Sequence, residues 1–530
     1  MKKFKFFTLL VALILSATAY AGDYKVSTLP QTRHILIEDY TGFKCGNCPD
    51  AHKRIEALRT AQPEIVHSIA IHAGGYATPT AIDNPDFRTE DGIELHNHYG
   101  IDSYPTGILN RMAFPDFGES GGLKVSRGYW VRCGRIIAQN TADVNIYTES
   151  SYDSATKKIS IDVELYYLKG IEAGKTALCL SLLQNGIIGM QHGADDVTEY
   201  EHNHMLRDMI TPVWGDVING DGTTQLENGT MTVDGKYVKA HYEYTLPSDY
   251  RGIPTDAFNT DILAFVIDTN EKNNYEILNV TETHVNCPGV TAPMNVKLEP
   301  YQITPSRNYG FNFMECYVTN KGSETLTKLS FAVTFNEKTT ETSVDVNIPA
   351  HEKVCVKVPI DWSKQYNDTN PYTIELKAVN GKAINAQKIK GDFAGMIYVK
   401  GAVKVKIKTD NFAADNTFRV LDANGNIVEE FGPYEDGTQA TYEESFEVTE
   451  KGGMYCFEIH DAWGDGMILP RGNAYWYDAK GTQLASNTNI ADYGYRIFFQ
   501  YGDGTGPGPR PDDPDDPDDP SNPDDPNNPD

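Results

Sequence analysis

Cys45-Gly46-Asn47-Cys48-Pro49 holds the densest chemistry in the chain. Thiols at i and i+3 lie about one helical turn apart, close enough to form and break a disulfide. The pair follows a short apolar run and opens a helical stretch. The positive end of a helix dipole favours a thiolate, so Cys45 is the expected attacking thiol and Cys48 the resolving one. Two alternatives stay open on the residues alone: a permanently oxidised staple, or half of a zinc site, for which no second cysteine pair is suitably spaced. A second candidate is His460-Asp461-Ala462-Trp463-Gly464-Asp465-Gly466. Two carboxylates four residues apart in a glycine-containing turn suit calcium, with Asp461 and Asp465 as ligands and Asp410 and loop carbonyls as further donors. The competing account has both aspartates capping the turn through backbone N–H groups. Calcium is the one ion expected, and no cofactor is required.

The histidines divide by spacing. His96 and His98 fall in a helical stretch, where i and i+2 do not share a face, and are expected on the surface. His202 and His204 would share a face if extended, with Arg207 close behind, and are read as packing or hydrogen-bonding residues with a ligand site as the alternative. His72 ends an apolar strand beside Gly74-Gly75, near the sheet edge where α/β ligand sites gather.

These residues need elements to hold them. His34 to Asp39 and Ile65 to His72 are apolar runs flanking a helix in which Ala51, Ile55 and Leu58 fall at i, i+4 and i+7, a βαβ unit. A second helix is expected over Lys124 to Gln139. From Ala142 the texture turns to alternating strands, including Ile159 to Val163, Ala177 to Leu183 and Ile262 to Ile267, read as a β-sandwich. After Cys287 a third block, with strands Tyr309 to Val318, Leu329 to Thr334, Thr342 to Ile348 and Lys353 to Val358, reads as an immunoglobulin-like sandwich. A fourth β block runs from Met396 to Tyr501. The expected division is 1–21 signal peptide, 22–140 α/β, 141–288 β-sandwich, 289–395 immunoglobulin-like, 396–502 C-terminal β-sandwich and 503–530 disordered Pro-Asp-rich tail. The fold class is multidomain α/β plus all-β.

Lys2, Lys3 and Lys5, the apolar run Phe6 to Ala17, and Ala19-Tyr20-Ala21 make a secretory signal, cut before Gly22. An exported chain permits disulfides, and strands of the third block place Cys316 and Cys355 as a candidate pair; the partners of Cys133, Cys179, Cys287 and Cys456 stay open. Lys plus Arg is 46 against 74 for Asp plus Glu, a net charge of −28 that repels phosphate backbones and excludes nucleic acid as partner. No later run reaches the ~18 apolar residues of a membrane-spanning helix, so association with the outer membrane is expected to be peripheral. Other proteins or surface glycans are the expected partners.

Asp39 six residues before Cys45, and Tyr104-Pro105-Thr106 ahead of a strand at Gly107 to Asn110, make residues 30 to 140 resemble a thioredoxin fold. The resemblance implies a buried acid at Asp39 that assists proton transfer from Cys48, and a cis Pro105 against the disulfide. Phe43-Lys44 stands where thioredoxins carry a Trp. Glu38 to Gly42, Cys45 to Pro49, Ala70 to Gly74, Tyr104 to Thr106 and Tyr200 to Arg207 together look like the Omp28-related family of outer membrane proteins over residues 22 to 287. That resemblance implies a thioredoxin-like domain joined to a β-sandwich at the envelope of Gram-negative bacteria. Lys408 to Asn411, Leu421 to Gly425 and Asp461 to Gly466 are similar to a C-terminal β-sandwich module of secreted bacterial proteins. Asp153-Ser154-Ala155 resembles an O-glycosylation acceptor with Ser154 modified; an ordinary hairpin turn is the alternative. Two functions follow: a surface or envelope interaction protein with the thioredoxin-like domain as scaffold, or an extracytoplasmic thiol-disulfide oxidoreductase.

Overall fold

The computed structural model describes residues 24–502 except 82–83, 120, 302–310, 336–337, 361–368, 395–396, 451–452, 468–469 and 491–492. The expected signal at 1–21 and acidic tail at 503–530 lie outside the described residues. β1 (Ile35–Thr41) and β2 (Val66–His72) are parallel and buried along their whole length. Between them runs α1 (Cys48–Ala61), with Pro49 in its first turn, Asp50 at its positive end and Arg59 at its negative end. Its Ala51, Ile55 and Leu58 are buried as the periodicity requires. α2 (Gly74–Ala77) and α3 (Glu90–His98) follow, then β3 (Thr106–Leu109), antiparallel to β1. α4 (Trp130–Ala138) is shorter than the expected 124–139 helix, whose start is a strand at Lys124–Val125 and a 3-10 turn at Arg127–Tyr129. Trp130 explains the break: its indole N–H donates to the Val125 carbonyl at 2.9 Å, which holds that strand in the sheet.

The expected boundary at 140/141 does not divide two cores. Strands Thr176–Gln184, Met205–Met209, Thr260–Asp268 and Ile277–His284 continue the β1–β2 sheet into one of ten strands. The seam is Met205 opposite Ala70, with Ala70 N–H donating to the His204 carbonyl at 2.8 Å. The physical reason lies in the strands themselves: Thr176–Gln184 and Thr260–Asp268 are buried on both faces, which a central strand requires and one sheet of a sandwich does not. One face of this extension packs on a five-stranded sheet that includes Val144–Asp153, Lys158–Tyr167 and Tyr237–Thr245. The other continues the cluster of Leu36, Tyr40, Ile69 and Ile71. On the β1 side, Ile35 and Ile37 pack with α1 and α4.

The third block is a sandwich of a three-stranded and a four-stranded sheet, and the fourth a sandwich of five and four strands. They share one apolar cluster, in which Phe313 and Met314 meet Leu421, Cys456 and Phe498, so 395/396 divides the sequence but not the core. The Cys316–Cys355 pair is not formed. In the antiparallel register Cys316 faces Val356 and Cys355 faces Tyr317, so the two side chains leave opposite faces, Cys316 into the core and Cys355 outward.

Candidate functional site

Cys45 and Cys48 are joined as a disulfide at the head of α1, with Cα atoms 5.5 Å apart. Cys45, the expected attacking thiol, is as covered as its partner: Cys45 is 3% and Cys48 0% exposed. The cover comes from far along the chain. The fully buried Gln191 donates through Nε2 to the Cys45 carbonyl at 2.8 Å and the Gly42 carbonyl at 3.3 Å, and His192 N–H donates to the Phe43 carbonyl at 2.7 Å. Gly193, at φ +80°, lies so close that a Cβ there would overlap the Gly46 carbonyl. Beside it Phe43 packs with Phe87, Ile187 and Met205, so the aromatic residue ahead of Cys45 is part of the cover. The Tyr104–Pro105 peptide is cis.

Asp39 is 1% exposed and neither of its oxygens accepts a hydrogen bond. His52 Nε2, on α1, stands 3.3 Å from Asp39 Oδ2, while its Nδ1 lies 2.9 Å from the Tyr200 hydroxyl. Burial, then the Asp39 charge, pushes the Tyr200 hydroxyl up. His72 is buried with neither ring nitrogen bonded, its ring 5.2 Å from Phe87 and 5.3 Å from His202. Burial holds His72 well below the ordinary histidine range, and takes His202, whose Nε2 lies 3.3 Å from the Met190 carbonyl, down to about 3. Arg207 is buried against Tyr250 and donates to its carbonyl at 3.1 Å; burial lowers it to about 10. His96 instead meets the Tyr104 hydroxyl at 2.6 Å, on α3.

From Asp39 and His52 a cleft of about 940 Å³ opens between α1, β2, the strands Thr260–Asp268 and Ile277–His284, and the third block. Seven of the thirteen histidines line it. At its floor Arg59 holds Glu282 with two hydrogen bonds of 3.0 Å, and His67 Nδ1 lies 3.5 Å from Glu282. Burial opposes ionisation of Glu282, but Arg59 and His67 outweigh it and hold its carboxyl well below the usual range. His284 Nδ1 bonds Asp261 at 2.7 Å, and Lys353 of the third block reaches Glu56 at 3.3 Å. Sequence reasoning missed this floor. Acids inside the apolar strands Thr260–Asp268 and Ile277–His284 were the available signal, but the register that collects them was not.

The structure gives the aspartates of the expected calcium loop other partners. Asp461 Oδ1 accepts from Trp463 N–H at 2.8 Å and from Gly464 N–H, the turn-capping arrangement. Asp465 accepts from Arg135 of α4 at 2.9 and 3.0 Å, and Arg135 also pairs with Asp415 and lies 4.1 Å from the Phe412 ring centre. The guanidinium thus supplies the positive charge that a cation would bring. Burial, then Asp465, raises Asp461 to about 7. Asp410 is buried and its Oδ1 accepts from Phe412 N–H. Ser154 is exposed in a hairpin turn closed by Asp153, which accepts from Ala155 N–H and the Thr156 hydroxyl.

Asp261, Glu282 and His284 of the cleft floor, and the segment that covers the disulfide, fall within a single match to known sequences. Residues 93–288 match the family of outer membrane protein Omp28. The match supports an exported, outer-membrane or cell-surface location, and it starts beyond Cys48, so it does not include the disulfide. No curated protein matches the chain. Among solved structures, HBP35 of Porphyromonas gingivalis is similar at 17% identity over 68% of this chain and 98% of its own, with a TM-score of 0.38. A domain of the outer membrane lipoprotein Omp28 of the same organism is similar at 22% identity over 28% of this chain and 90% of its own, with a TM-score of 0.18. No helix among the described residues is long and apolar enough to cross a membrane.

Proposed function

We propose that the chain is a modular interaction protein of the cell envelope, with a thioredoxin-like N-terminal unit serving as scaffold for β modules that bind other proteins or surface glycans. The element order β1, Cys45–Cys48 at the head of α1, β2 and β3 supports the thioredoxin-like reading. One observation carries the scaffold role: the Gln191–Gly193 segment is bonded across the 42–46 loop and leaves Cys45 3% exposed. Disulfide exchange runs by in-line attack of one thiolate on a sulfur, so a partner must reach Cys45, and this cover stands in its path. A second reading, an oxidoreductase whose cover opens for its client, is favoured by Asp39, a buried carboxylate without a hydrogen bond that could take a proton from Cys48. Exchange with a small model disulfide separates them. On the scaffold reading the full chain turns over no faster than its Cys45→Ser/Cys48→Ser variant; clear turnover above that variant overturns it.

A further inference from the structure

The floor of the cleft collects three side chains that no part of the reading above uses. His204 from the turn between strands Tyr200–His202 and Met205–Met209, Asp261 from Thr260–Asp268 and Glu282 from Ile277–His284 bring ligand atoms to within 4.8 Å of one another. His204 takes a left-handed backbone, φ +54°, which a histidine adopts only at a cost. His351, across the same cleft in the third block, does so too, at φ +67°. His204 Nδ1 is buried and makes no hydrogen bond.

Two of the three are held from behind, and the third has a carboxylate beside it. Arg59 and His67 fix Glu282, His284 fixes Asp261, and Glu56 Oε2 lies 4.0 Å from the other nitrogen of His204. This is how metal ligands are commonly supported, with carboxylate or imidazole partners setting tautomer and orientation. A carboxylate bonded twice to an arginine keeps further lone pairs free, since its two oxygens offer about four acceptor sites. The charge balance points the same way. Arg59 answers Glu282 and Lys353 answers Glu56, but among the described residues Asp261 has no lysine or arginine within ion-pair distance.

We infer that His204 Nδ1, Asp261 and Glu282 bind one divalent ion of the zinc class, with water completing the set. The donors are one imidazole and two carboxylates with no thiolate, which suits zinc and disfavours magnesium and calcium, whose sites are built from oxygen alone. Bonds of about 2.0–2.1 Å to a tetrahedral ion set ligand atoms about 3.3 Å apart, so the three close by about 1.5 Å at most, a movement within side-chain rotation. The site lies where the third block meets the N-terminal unit, and an ion there would tie strands separated by some eighty residues of sequence.

The test is a zinc titration of the mature full chain in competition with a chromophoric chelator at pH 7.5. One equivalent is expected to bind, unmoved by millimolar calcium or magnesium, and Co2+ in its place is expected to give the absorption band of a four-coordinate site. His204→Asn keeps a residue that tolerates the left-handed backbone, and is expected to abolish the competitive binding. His284→Phe is expected to weaken it by about tenfold to hundredfold. Circular dichroism confirms that each variant is folded, and the Co2+ band of the unaltered chain stands if a variant is not. Absence of a stoichiometric site, or a site unchanged in His204→Asn, overturns the inference. The Cys45→Ser/Cys48→Ser chain is expected to bind zinc like the unaltered one, so the outcome is independent of the role of the disulfide; loss of binding there assigns the zinc to the thiols and overturns it as well.

Discussion

Replacing His202 by Phe should make the N-terminal unit markedly less sensitive to acid. His202 is 2% exposed, packed edge-on or tilted against the rings of Phe87, Tyr200 and His72, and burial takes it from the ordinary 6.5 down to about 3. A base whose folded value is depressed leaves stability intact above pH 6.5 and withdraws it as pH falls from there toward 3, because the unfolded chain binds a proton that the folded chain refuses. At pH 5 an imidazole in the unfolded chain is protonated about thirty times as often as not, which costs the fold about 2 kcal/mol, rising to about 4 kcal/mol by pH 3. Phe keeps the ring contacts and cannot titrate. Hydrogen exchange followed by mass spectrometry on peptides spanning β2 and strands 200–209, at pH 7.5 and 5.0, reads the opening free energy of this unit separately from the two sandwiches. The variant should lose about 2 kcal/mol less than the unaltered chain between the two pH values. His72, 5.3 Å away and also held neutral by burial, leaves a residual loss of the same sign. Equal losses in the two proteins, to within about 0.5 kcal/mol, would refute the reasoning.

Arg135→Ala should destabilise the C-terminal sandwich by about 3–5 kcal/mol, because it strands Asp465 and Asp415 in a buried site; calorimetry of the full chain reads it as an earlier transition for that block. Gly193→Ala forces a Cβ against the Gly46 carbonyl at a left-handed φ, a strain of about 1–3 kcal/mol, so reduction of Cys45–Cys48 by dithiothreitol should speed up by about one to two powers of ten. Cys355 should take up a maleimide in the native protein, whereas Cys179, Cys316 and Cys456 should react only on unfolding; equal labelling of Cys316 and Cys355 would contradict the strand register.

The βαβ start of the fold was readable because its signals are local: two apolar runs, a 3.6-residue stripe and a cysteine pair with Pro49 at the helix head. The fused sheet was also written in the sequence, in Thr176–Gln184 and Thr260–Asp268, whose apolar residues fall on both faces where a sandwich strand alternates. The sandwich reading passed over that difference. What no local pattern could supply is the pairing of groups distant along the chain. Gln191 reaches Cys45 across 146 residues and Arg135 reaches Asp465 across 330, and neither residue stands out in its own neighbourhood. The aspartate turn at 461–465 was found, but its occupant depends on α4 of another unit. Cys316 and Cys355 do lie in strands of the third block; those strands pair directly, and a one-residue offset in register decides which face each thiol takes.

The scaffold role rests on the disulfide being inaccessible, and its reduction potential in the intact chain tests that most directly. Equilibration of the mature protein in glutathione buffers, with alkylation of Cys45 and Cys48 read by mass, should give a value below about −300 mV, as for disulfides that stay oxidised outside the cytoplasm. A value near −200 mV, in the range of pairs that cycle, would contradict the account and make the covering segment a gate.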